Sequence, residues 1–132
     1  MKRFKNNQEC FDFIYKAVVK QNEQCLNDAG NCSYIGPNGT HCAAGFLLNA
    51  KELQILTETS SLSDDFGTAS RRLLKKHKQT RLIVDMQEAH DLPSDKKNDC
   101  SMPCKNRSKF LKEFKKNASK VAVKFGLKVP SV

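Results

Sequence analysis

The chain has 132 residues, 28% of them charged and 39% hydrophobic, which suits one domain with an ordinary core and excludes intrinsic disorder. Its start, MKRFKNNQECFDF, is basic but has no apolar stretch of a secretory leader, and no apolar run nears the roughly eighteen residues of a membrane span. A net charge of +9 completes the expectation of a soluble, cytoplasmic, basic protein forming a single domain over residues 1–132.

The first element begins at Asn6, which with Glu9 three residues on resembles a capping box. Cys10, Phe11, Ile14, Ala17, Val18, Gln21 and Cys25 recur at helical spacing, with Asp12, Lys16, Lys20 and Glu23 on the other side. Gly30 is the expected stop. Residues 32–48 read CSYIGPNGTHCAAGFLL. There Pro37 suits the first corner of a tight turn and Asn38-Gly39 supplies positive backbone angles, which predicts a small hairpin leading into a strand or helix start. NAKELQIL continues as a short helix, and TSSLSDDFG is a loop.

Two further helices are predicted. One covers Asp64 to Lys78 and buries Leu73, Leu74 and Phe66. The other runs from Thr80, read as its N-cap, to Asp91, with Leu82, Ile83, Met86 and His90 on its apolar face; Pro93 ends it. Residues 93–107 form a polar loop. The last helix spans Ser108 to Gly126, gathering Phe110, Leu111, Phe114, Ala118, Val121, Ala122 and Phe125 on one face. The expected fold is mainly α (α+β): a compact bundle of four to five helices with one small β-hairpin.

Charge is unevenly placed. Residues 101–132 carry nine basic groups and the single acid Glu113, whereas residues 1–100 are nearly balanced. Lys109, Lys112, Lys116, Lys120 and Lys124 line the helix side opposite the apolar face, a stripe about 20 Å long. A second acid-free cluster, RRLLKKHKQTR, adds Arg71, Arg72, Lys75 and Lys76. Together they form the candidate binding surface, fit for an acidic protein patch or for the phosphates of DNA or RNA. A merely solvated, solubilising face is the plain alternative. The segment has no zinc-finger or RNA-recognition signature, and the chain lacks a phosphate-cradling glycine loop or dinucleotide fingerprint.

Six cysteines, Cys10, Cys25, Cys32, Cys42, Cys100 and Cys104, are expected as free or metal-bound thiols in a reducing compartment. Cys10 and Cys25, on the first helix's apolar face, read as small buried hydrophobes. A zinc site could draw on Cys32, Cys42, Cys100 and Cys104, although the Cys32–Cys42 separation is wide for a knuckle. No other cofactor is expected. A thiol enzyme would use Cys42, its pKa lowered at a helix start, with His90 as base and Asp91 as orienter. Packing of His90 against the core, bonded to backbone, explains that histidine equally well, and His41 and His77 read as surface residues.

Two motifs carry a resemblance. CSYIGPNGTHCAAGFLL resembles the Cys-x-Tyr-x-Gly-x-x-Gly-x-x-Cys-Ala-x-Gly signature of small proteins from tailed bacteriophages and bacterial genomes, and LIVDMQEAHD is similar to their Leu-x-x-x-Gln-x-x-His-Asp helix. A closing amphipathic helix ending in Phe125-Gly126-Leu127 also fits. The matching positions are Cys32, Tyr34, Gly36, Gly39, Cys42, Gly45, Gln87, His90 and Asp91. Asn49-Ala50-Lys51 departs from a Pro-Asp-Glu pattern, and the Cys100/Cys104 loop looks like an addition. The resemblance implies a phage accessory protein that binds a host macromolecule as inhibitor or modulator, in counter-defence or host takeover. It implies no particular chemistry.

Overall fold

The computed structural model describes residues 1–26, 33–59, 74–75, 77–94 and 104–132, with the backbone alone for residues 55–59. Four α-helices lie among the described residues: α1 (Asn7–Gln21), α2 (Ala50–Thr59), α3 (Thr80–Asp91) and α4 (Arg107–Phe125). A 3₁₀ turn at Gly45–Leu47 precedes α2. The protein is mainly helical. The predicted helix over Asp64–Lys78 falls largely outside the described residues.

Helix α1 starts as its sequence demands. The Asn6 side chain accepts the Glu9 N–H at 2.9 Å, and the Glu9 carboxylate accepts the Lys5 N–H at 3.0 Å. Its end differs from expectation. Asn22 takes the left-handed conformation (φ 57°) and returns its N–H to Val18 O at 3.0 Å, so the helix stops at Gln21, not at Gly30. Asparagine tolerates this conformation at small cost, and the turn frees Gln24 and Cys25 to enter the core as non-helical chain.

Helix α2 has a reciprocal cap: Asn49 accepts the Glu52 N–H at 2.8 Å and donates its own N–H to Glu52 Oε1 at 3.1 Å. Thr80 is the first residue of α3, not its cap; its hydroxyl lies 2.6 Å from His77 O and 2.5 Å from Leu74 O. In α4 the Asn106 side chain accepts the Lys109 N–H at 3.0 Å, and Gly126 (φ 66°) closes the other end.

Helices α1, α3 and α4 pack on one another around a common core. A run of rings passes through it: Phe11–Tyr15 at 5.7 Å, Tyr15–Phe114 at 5.8 Å, Phe114–Phe110 at 6.0 Å and Phe110–His90 at 5.6 Å between centroids. Such pairs add to the apolar burial that holds three helices together. His90 therefore sits inside the core, fully buried. His77, read from sequence as a surface residue, is also buried; its Nδ1 accepts the Gln79 N–H and its Nε2 meets Lys2 O at 2.9 Å. His41 is half-buried against Phe46.

The predicted hairpin becomes a turn closed by one antiparallel bridge, Ile35 to His41. Gly36 N–H donates to Thr40 O at 2.8 Å and Cys42 N–H to Tyr34 O at 3.2 Å, with Gly39 at φ 75° as its residues require. Among the described residues the pairing extends no further, and the outer edge of His41 is closed by a side chain. The Gln21 amide both accepts the His41 N–H and donates to His41 O, each at 2.8 Å, mimicking a strand neighbour. Beyond Cys42 the chain turns at once into the 3₁₀ segment.

Candidate functional site

Helix α4 presents the basic face. Phe110, Phe114, Ala118 and Ala122 point into the core, which by helical geometry turns Lys112, Lys116 and Lys120 outward. All three are exposed, as is Lys124, while Lys109 is half-buried near the N-cap. The helix's lone acid makes no ion pair with them among the described residues. Glu113 Oε2 accepts the backbone N–H of Ser94 at 3.2 Å. One lysine is spoken for: Lys124 Nζ pairs with Asp85 Oδ2 of α3 at 2.7 Å. Lys112, Lys116 and Lys120 meet no acid among the described residues. Of the second predicted cluster, Lys75 is exposed next to buried Leu74; Arg71, Arg72 and Lys76 lie outside the described residues.

Residues of the two sequence motifs, 32–48 and 82–91, meet on the opposite side of α3, where they take part in a staple. Gln87 Oε1 accepts the Ala44 N–H at 2.9 Å, and its Nε2 donates to both Asp91 oxygens at 2.9 Å. His90 Nδ1 meets Asp91 Oδ1 at 2.8 Å, and His90 Nε2 accepts the Cys25 N–H at 3.3 Å. A backbone N–H only donates, so Nε2 is bare and Nδ1 carries the proton. Gln24 closes the far end: its Nε2 donates to His90 O at 3.0 Å and Pro93 O at 3.2 Å, while Oε1 accepts the Cys104 N–H at 2.7 Å. These side chains satisfy carbonyls at the end of α3 that the helix itself leaves open. Gln21, Gln24 and Gln87 were invisible to motif reasoning as staples, because a glutamine's partners are set by three-dimensional approach alone.

The thiol expectation changes at this cluster. Cys42 is buried, with its Sγ accepting the Gly45 N–H at 3.2 Å. Burial first, and then the negative charge of Asp91, push its pKa well above the ordinary 9.0, the reverse of the lowering expected at a helix start. Burial, with Asp91 again adding to it, also raises Cys25, whose Sγ donates to Thr40 O at 3.3 Å. Both ring nitrogens of His90 are already engaged, so the histidine offers Cys42 no base. Cys104 is buried with its Sγ 3.4 Å from Asn106 O. Cys10, Cys25, Cys42 and Cys104 are free thiols, whereas Cys32 and Cys100 lie outside the described residues. Among the described residues no group of three or more His, Cys, Asp or Glu could hold a metal ion, and no helix is long and apolar enough to cross a membrane.

A groove of about 270 Å³ runs between α3 and α4. Ala89, Leu92 and Val121 supply its apolar surface, Lys120 and Lys124 one wall, and Asp85 and Glu88 the other. The sequence gives no sign of it, since its two walls lie on separate helices. Searches against protein-family models, curated proteins and solved structures match none of them to this chain.

Proposed function

We propose that this protein is a binding module for an anionic host macromolecule, engaged through the outward face of α4. The observation that carries this reading is the row Lys112, Lys116 and Lys120, exposed and unmatched by acid among the described residues, on a helix whose sole carboxylate is turned to Ser94. Unpaired ammonium groups along roughly two turns create a local field that steers and holds an anionic partner. The motif resemblance supports a phage accessory protein acting in the bacterial cytoplasm as an inhibitor or modulator of that partner. Lys109, Lys124 and, in the preceding segment, Arg71, Arg72, Lys75 and Lys76 extend the proposed surface.

Thiol chemistry at Cys42 with His90 draws no support from the geometry. If Cys42→Ser, judged to be folded, abolished the protein's effect on host cells, the thiol reading would return.

The test of the basic face is charge reversal with a matched control. A variant with Lys112, Lys116 and Lys120 changed to Glu is compared with one changed at Lys16, Lys20 and Lys51, which are also exposed and lie outside both basic segments. Binding to immobilised heparin, to acidic polypeptide and to duplex DNA is measured across a salt series. The α4 variant is expected to lose retention well below the control's elution point, with the fold intact by circular dichroism. Equal losses in the two variants would mean that overall charge, not this face, does the binding.

A further inference from the structure

The basic stripe and the α3–α4 groove are neighbours, joined by Lys120 and Lys124, which belong to both. This contiguity bears on what the partner is, and it rests on the binding role just proposed.

Three features of the combined surface are wrong for nucleic acid. Glu88 is exposed on the groove wall and Asp85 lines it as well, so a phosphate backbone laid on Lys120 would approach two carboxylates. Lys124 is already neutralised by Asp85 at 2.7 Å, which shortens the cationic row available to phosphates. No aromatic side chain among the described residues is exposed, and base stacking is a main source of affinity for single strands.

Other features are right for a protein. Leu92 is 42% exposed at the groove and Val123 is 82% exposed among the lysines of α4. At about 270 Å³ the groove falls just below the roughly 300–1,000 Å³ of pockets that engulf a small molecule. It suits an inserted side chain or two. Its charge is also asymmetric: beyond one wall lie exposed, unmatched lysines, and on the other stands Glu88. A partner acidic on one flank only, with an apolar residue at its centre, complements that layout. Apolar anchors seated in a pocket and ringed by polar contacts are the usual source of interface affinity.

We infer that the α3–α4 groove is the anchor site for an acidic, amphipathic protein segment, which inserts a leucine- or phenylalanine-like side chain between Ala89, Leu92 and Val121 while its acids lie over Lys116 and Lys120. The partner is a protein, and the lysines orient it.

The experiment is an amide NMR titration of the whole protein with three probes. The first is a synthetic amphipathic peptide with Leu on one helical face and Glu flanking it. The second is the same peptide with each Leu replaced by Ser, of identical charge. The third is a short DNA duplex. The Leu peptide is expected to give saturable shifts at Ala89, Leu92, Asn117 and Val121, and the Ser peptide to bind about tenfold more weakly or worse. Leu92→Ser, an uncharged change at an exposed position, should weaken the Leu peptide by a similar factor. Equal binding of the two peptides, with shifts confined to the lysines, overturns the anchor site while leaving the basic face in place. Tighter, saturable binding of the duplex overturns the protein assignment. Absence of binding by all probes, heparin included, removes the binding role itself and the anchor with it.

Discussion

His90 Nε2 accepts the backbone N–H of Cys25 at 3.3 Å, a bond across 65 positions of the chain made inside the core. It ties the segment leaving α1 to the end of α3 and dictates the ring's tautomer. Long-range nitrogen–proton NMR at mildly alkaline pH is expected to show His90 protonated at Nδ1 and bare at Nε2. A protonated Nε2 would mean that the Cys25 bond is not made. His90→Phe fills the space but orphans a buried N–H, so unfolding should cost about 1–3 kcal/mol less than in the parent.

Gln87 makes the same kind of claim at the other end of the staple. Gln87→Leu strands the Ala44 N–H, which the glutamine accepts at 2.9 Å in a buried setting. A loss of about 1–3 kcal/mol in urea unfolding is expected. Gln87→Glu should be worse near neutral pH than in mild acid, because it sets a second carboxylate against Asp91 in place of two donated hydrogen bonds. A pH-independent penalty would show that Asp91 is not the partner.

The buried thiols predict both reactivity and an alkaline limit. Burial pushes Cys10 up to about 12 from an ordinary 9.0, and burial likewise raises Cys25 and Cys42. Iodoacetamide at mildly alkaline pH should spare all three in the folded protein and label them in urea, as read by mass spectrometry. A folded-state pKa above the unfolded one gives stability that is whole below the unfolded value and lost as pH climbs through the folded one. Stability should therefore decline from about pH 9 upward, and Cys10→Ala should flatten that decline, measured as the urea midpoint against pH. Rapid labelling of Cys42 in the folded state would contradict its burial beside Asp91.

Two glycines in the turn region should behave differently. A Cβ on Gly45 would stand 2.5 Å from the carbonyl oxygen of Tyr34 and 3.3 Å from Cys42 Sγ, and that carbonyl is held in place by the Cys42 N–H at 3.2 Å. Gly45→Ala is expected to lower the thermal midpoint strongly. Gly39 has open space around its Cβ position but a φ of 75°, so Gly39→Ala should cost only about 1 kcal/mol of conformational strain. Equal effects would show that the close approach at Gly45 is not sustained.

Local signals were strong where their causes are local. The Asn6 cap, the apolar stripe of α4, the Gly39 turn and the stop at Gly126 depend on neighbours within about a helical turn, and each lies where the residues place it. The early end of α1 was not legible, because Asn22 competes with Gly30 on nearly equal terms until Gln24 and Cys25 have partners to reach. The hairpin shrinks to one bridge because the chain turns into the 3₁₀ segment soon after Cys42, the helix-like alternative the sequence also offered, and Gln21 pairs with the outer edge of His41.

Sequence alone determined that the chain is mainly helical, that the excess positive charge belongs to residues 101–132, and that Cys10 is interior; Cys25 is buried too, but in the chain beyond α1 and not on its helical stripe. Periodicity and composition suffice there, since a helix must bury its apolar stripe and leave lysines in water. Tertiary structure decided what the chemically suggestive residues do. Cys42, His90 and Asp91 could have been a nucleophile, a base and its orienter; approach of the Cys25 N–H to His90 and of the Gln87 amide to Asp91 makes the latter two a staple instead, and burial raises the pKa of Cys42. It also created the α3–α4 groove, whose two walls have no relation until the helices pack. Hydrogen-bond partners and electrostatic neighbours are facts of distance in space, and a one-dimensional pattern carries that information only for residues close along the chain.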